Sequence, residues 1–142
     1  MLGHMYENGE GVPQDYPQAL RWYRAAADQN NAGAQFNLGV MYQQGWGVPQ
    51  DDAEAVKWWR KSADQGDPSS QYNLGLMYSY GRGLPQDFIY AHMWLNLAAV
   101  HHLARDNAVR SRDAISAKMT RGQIAEAQRL AREWKPKELV RQ

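Results

Sequence analysis

A 36-residue spacing constrains this chain more than any other feature. Gly11 opens the pentapeptide GVPQD, Gly47 opens the same five residues, and Gly83 opens GLPQD. The likeness extends well beyond the turn. Without a gap, residues 1–31 match 37–67 at 16 of 31 positions, and 32–67 match 68–103 at 14 of 36. A fixed period in the range of roughly 20–50 residues marks a solenoid, whose units bury their apolar faces only by stacking on one another.

Each unit reads as two helices. In the second, Ala34, Leu38, Met41 and Tyr42 recur at helical spacing, and Ala55, Trp58, Trp59, Ser62 and Ala63 form another such stripe. The segment GWGVPQD separates them: Gly45 takes a left-handed cap, Pro49 stops the first helix, and Asp51 N-caps the second. Asp51 with Glu54, and Asp15 with Gln18, resemble capping boxes. The repeated turn is thus a helix end followed by a helix start, which accounts for its residues without an active-site role. The pattern predicts helix A over 1–8, 33–44 and 69–80, and helix B over 16–29, 52–65 and 88–102. Gly3, Gly39 and Gly75 fall inside helix A, where glycine costs about 1 kcal/mol relative to alanine. Close approach of a neighbouring helix explains such a position, with Trp22, Trp58 or Trp94 as the expected filler.

The third helix B departs from the pattern, because Met93, Leu97 and Val100 replace Lys57, Lys61 and Asp64. An apolar outer face requires a cover. The expected cover is a helix over Arg105–Met119, a capping box from Thr120 to Gln123, and a last helix to Trp134 with a stripe at Ile124, Ala127, Leu130, Ala131 and Trp134. One repeat domain over 1–142 follows, divided into a partial repeat (1–31), repeats 32–67 and 68–103, C-terminal capping helices (104–134) and a tail (135–142). Met1 aligns with Asn37 and Asn73, partway into helix A. The expectation at that end is an open stacking face around Leu2, Met5 and Tyr6, or continuation of a longer array.

Composition narrows the chemistry. With no cysteine there is neither a disulfide framework nor a thiolate metal site. No apolar run approaches the ~20 residues of a membrane span, and the opening MLGHMYENGEG has neither the basic nor the apolar region of a signal peptide. The net charge of +1 hides an asymmetry, −4 over residues 1–104 and +5 over 105–142. The basic tail is interleaved with Asp106, Asp113, Glu126 and Glu133, which reads as a salt-bridged helical surface and not as a nucleic-acid site. On a helix, His101 and His102 point about 100° apart and make a poor ligand pair, and no zinc-protease spacing is present. Gly45, Gly47, Gly81 and Gly83 are followed by no GKS/T and preceded by no strand, so they form no phosphate loop. No metal, cofactor or nucleophile–base constellation is predicted.

The stretch LGVMYQQGWGVPQDDAEAVKWWRKSADQGD resembles the Sel-like repeat family, a branch of the tetratricopeptide-like helical solenoids. The likeness covers about residues 1–103, and DAISAKMTRGQIAEAQRLAREW is similar to the segment that often closes bacterial members. The resemblance implies an all-α, right-handed superhelix of antiparallel helix pairs that acts as a non-enzymatic adaptor for a protein or peptide. In such a superhelix, helix A lines the concave surface. Opposite the core stripe of helix A lie Phe36, Val40 and Gln43, then Tyr72, Leu76 and Ser79, flanked by Asn37 and Asn73, with His4 and Glu7 ahead of them. These ten form the expected partner strip, with packing on the adjacent repeat as the competing account of its apolar members. The other expectation is assembly through the open N-terminal end, by self-association or within a longer array.

Overall fold

A computed structural model describes residues 15–137. The first helix A, the turn at Gly11, and the positions His4 and Glu7 lie outside the described residues. Among the described residues there are seven helices and no strand: α1 Tyr16–Asp28, α2 Ala32–Gln44, α3 Asp52–Asp64, α4 Pro68–Tyr80, α5 Phe88–Ala99, α6 Arg105–Ser116 and α7 Arg121–Glu133. Helices α2 and α4 are the A helices of their repeats, and α1, α3 and α5 the B helices.

Local chemistry sets the helix ends. Asp15, Asp51 and Asp87 have extended backbones, and each accepts a hydrogen bond from the amide three residues on. Gly45 and Gly81 end α2 and α4 in the left-handed conformation, at φ 71° and 67°, where a side chain would be strained. The reciprocal capping box forms at Thr120 and Gln123. At Asp15 and Asp51 only the forward bond is made, a correction to the expected boxes.

Consecutive helices pack as antiparallel pairs, and their apolar stripes fuse into clusters that cross the repeat boundaries. One joins Tyr23 and Ala27 of α1 to Leu38 and Met41 of α2 and Trp58 of α3. The next joins Trp59 and Ala63 of α3 to Leu74 and Met77 of α4 and Trp94 of α5. Trp58 and Trp94 are each only 4% exposed. Neither fills the glycine notch, however. A Cβ built on Gly39 would run into the Trp59 ring, 2.9 Å from Cε2, and one on Gly75 would stand 2.9 Å from Leu95 Cγ. The filler is therefore the next residue in the B helix, because a helical step of about 100° aims Trp59 at the partner helix of its own repeat and leaves Trp58 for the preceding one.

Polar groups repeat with the same period. Buried Gln35 and Gln71 donate to the carbonyls of Ala27 and Ala63, at 3.2 and 3.4 Å, joining each A helix to the end of the preceding B helix. Arg24 donates to the Tyr42 hydroxyl and Arg60 to that of Tyr78.

After α5 the chain leaves the repeat pattern. α5 ends at Ala99, short of the expected residue 102, and α6 at Ser116, short of Met119. His101 and His102 consequently lie in a turn, where their rings stack at 5.3 Å in place of the helical divergence expected of them. Helices α6 and α7 both pack on α5. Leu130, Ala131 and Trp134 rest against the cluster that contains Met93 and Trp94, and Leu97 is half-buried beside it. Val100 is not covered: it lies past the end of α5 and is 77% exposed.

Candidate partner-binding face

The A helices share one face with α6. Helix α6 is held there by Ala108 and Ile115, both buried, and by a polar chain to α5. Arg112 Nη1 donates to Asn96 Oδ1 at 3.0 Å, and the Asn96 amide nitrogen stands 2.9 Å from His92 Nδ1. Because the guanidinium only donates, it directs the Asn96 oxygen toward itself and leaves the NH2 to face the imidazole. His92 Nδ1 is thereby the acceptor and the ring neutral. Burial first, and then the nearby Arg112 charge, push the His92 pKa below its ordinary value, partly opposed by Asp113.

With α6 in place, two hollows lie between it and the repeats. One, of about 250 Å³, is lined by Phe36 of α2, Tyr72 and Asn73 of α4, and Leu103, Ala104 and Asn107 from the start of α6 and the turn before it. The other, of about 460 Å³, runs between α4 and α6, with Tyr72, Leu76, Ser79 and Tyr80 on one wall and Arg110, Ala114 and Lys118 among those on the other. Tyr72 and Asn107 belong to both, so the two hollows adjoin.

Five of the ten strip residues therefore line this face: Phe36, Tyr72, Asn73, Leu76 and Ser79. Asn37, Val40 and Gln43 are half-buried and line neither hollow. Val40 packs on the cluster containing Leu74 and Met77, as Phe36 does, while Tyr72 packs on the cluster of Ala91, Leu95 and Ile115. Leu76 is different, since it is half-buried in the α4–α6 hollow and belongs to no core cluster.

The wall supplied by α6 was missed in the sequence reading, which took its cations for members of salt bridges. Arg112 does pair with Asp113 at 3.1 Å, and Arg129 with Glu126 and Glu133. Arg110 and Lys118 pair with no carboxylate among the described residues. The available signal was their spacing: Arg110, Ala114 and Lys118 recur at i, i+4 and i+8, the first two on one side of α6 and Lys118 in the turn just past its end.

Neither hollow is lined by a histidine or a carboxylate. No group of three or more His, Asp or Glu side chains able to hold a metal is found among the described residues. No described helix is long and apolar enough to cross a membrane.

The family model for the Sel1 repeat matches residues 1–31, 32–67 and 68–99. No curated protein matches significantly. Among solved structures, the chain is similar to a Sel1 repeat protein from Oxalobacter formigenes, with TM-score 0.78 and 32% identity over 87% of this chain and 49% of that one. It is also similar to a protective antigen of uropathogenic Escherichia coli strains that displays an SLR fold, with TM-score 0.80 and 28% identity over 94% of this chain and 36% of that one. The chain thus spans about half the length of the first and about a third of the second. Three matched repeats on an all-α framework of stacked helix pairs place the chain in the Sel1 repeat family, whose members are generally scaffolds for protein interaction and typically non-catalytic.

Proposed function

We propose that this chain is a non-enzymatic adaptor that holds a protein or peptide partner on the face shared by α2, α4 and α6. Leu76 is the observation that carries this reading. A leucine that is half-buried in a hollow, yet absent from every core cluster, keeps apolar area available to a partner. Tyr72 and Tyr80 extend the apolar wall, and Asn73 and Asn107 supply amides that pair with a peptide backbone.

Leu76→Ser and Val40→Ser separate binding from stability. Leu76→Ser removes area from the hollow and is expected to cost at most about 1 kcal/mol, because only part of its apolar surface is buried in the free chain, while abolishing pull-down of a partner. Val40→Ser opens the inter-repeat cluster and is expected to cost about 1–3 kcal/mol while sparing binding in whatever fraction remains folded. If Leu76→Ser unfolds the chain, or retains every captured partner, the face has been assigned wrongly.

One observation favours assembly as a second reading. Trp22 occupies the repeat position of Trp58 and Trp94, yet is 45% exposed where they are 4%. An indole at a stacking position with much of its surface free favours a further repeat, or a second copy, docking against α1.

A further inference from the structure

The geometry points to an acidic peptide segment as the occupant of the α4–α6 hollow, with two carboxylates flanking an apolar side chain. This inference rests on the binding face proposed above and names the chemistry of its partner.

Charge is the first reason. Arg110 and Lys118 both line the hollow, no acidic residue lines it, and neither cation is paired among the described residues. Asp106 and Asp113 flank Arg110 along α6 without pairing to it, and Asp113 is taken by Arg112. Residues 105–118 carry four cations against two carboxylates, so the α6 wall is itself net positive.

Spacing is the second. Arg110 and Lys118 are eight residues apart on a continuous α6 up to Ser116, with Lys118 just beyond its end. At 1.5 Å per residue Ser116 stands about 9 Å along the axis from Arg110, and the tighter turn beyond it, closed by the Lys118 amide on the Ile115 carbonyl, brings the separation to about 12–13 Å. An extended peptide rises about 3.3 Å per residue and turns alternate side chains to the same side. Positions i and i+4 of such a peptide therefore stand about 13 Å apart on one side, with i+2 between them. On the protein, Ala114 lies midway between the cations, and Leu76 faces them from α4. The matching sequence is acidic–x–apolar–x–acidic: each carboxylate meets one cation, and the apolar side chain enters between Leu76 and Ala114. The side-chain amide of Asn107 and the hydroxyl of Ser111 add donors on the same wall.

The test is selection from a random dodecapeptide library displayed on phage, followed by synthesis of the most enriched peptide. The expected result is enrichment of acidic pairs four positions apart around an apolar residue. Affinity for the synthetic peptide should fall about 10- to 100-fold in Arg110→Gln/Lys118→Gln, since charge-assisted contacts are the stronger ones. It should fall likewise when both peptide acids become amides, and weaken on raising salt from about 50 to 500 mM as exposed charge pairs are screened. Should the double variant lose helicity, the salt titration and the amide peptide decide on the unaltered chain. Selected peptides without acids, or insensitive to these changes but lost with Leu76→Ser, overturn the acidic partner and leave the face standing. Peptides insensitive to Leu76→Ser as well, or no enrichment at all, overturn both.

Discussion

At the scale of single residues, the contact between Gly39 and Trp59 shows why a glycine sits mid-helix. The indole lies against the α2 backbone, and its Nε1 donates to the Phe36 carbonyl at 3.1 Å, a bond that requires the absence of a side chain at Gly39. At the equivalent site in the next repeat, Leu95 fills the notch of Gly75. Gly39→Ala is expected to destabilise the chain despite its better helix propensity. Alanine gains about 1 kcal/mol as a helix former, but overpacking of this kind costs about 1–3 kcal/mol and displacing the indole forfeits a hydrogen bond of about 1 kcal/mol. A net loss of about 1–3 kcal/mol should appear as a lower denaturant midpoint, and a midpoint at or above that of the parent would refute the close-approach explanation.

At the scale of elements, the position of α6 decides whether the candidate face exists, and the chain from His92 through Asn96 to Arg112 helps to fix it. We propose that α6 and α7 together serve as a C-terminal cap, α7 by covering the Met93 and Trp94 cluster and α6 by walling the hollows. The His92 ring accepts a hydrogen bond only when neutral, and its pKa is depressed in the folded chain. The unfolded chain therefore takes up the proton first as pH falls. Stability is greatest above the ordinary imidazole pKa of about 6.5, declines as pH drops toward the lower folded value, and levels off beneath it. The melting temperature should be lower at about pH 5 than at about pH 7.5, and His92→Gln should flatten that difference. An unchanged pH dependence in the variant would remove His92 as its source.

At the scale of the whole molecule, stability is distributed along the array. The Gln35 and Gln71 bonds, the Arg24–Tyr42 and Arg60–Tyr78 pairs and the paired helix caps recur at the repeat period, so each repeat is fastened chiefly to its neighbours. Trp22, at the repeat position of the buried Trp58 and Trp94, is 45% exposed. If α1 docks a second copy, light scattering should give a mass above that of the 16.2 kDa monomer that rises with concentration, and Trp22→Ser should return it to the monomer. A parent chain that is monomeric at all concentrations would dispose of self-association through this surface.

The amino-acid sequence determined, unaided, what depends on local chemistry and periodicity. The 36-residue period, the aspartate caps, the left-handed glycines and the stripe of Ala34, Leu38 and Met41 follow from which residues recur at which spacing, and they lead to an all-α repeat fold. Half of the expected strip falls on the candidate face for the same reason, because Phe36, Tyr72, Asn73, Leu76 and Ser79 lie on one side of their helices. Tertiary structure decided the rest. Whether Trp58 or Trp59 meets Gly39 depends on a rotation of about 100° between successive side chains, and a periodic stripe wide enough to contain both cannot choose between them. Val40 and Leu76 occupy equivalent positions, yet Val40 meets the core of the following repeat while Leu76 faces α6. That difference arises because the helix beyond Leu76 belongs to no repeat, so its packing obeys no period.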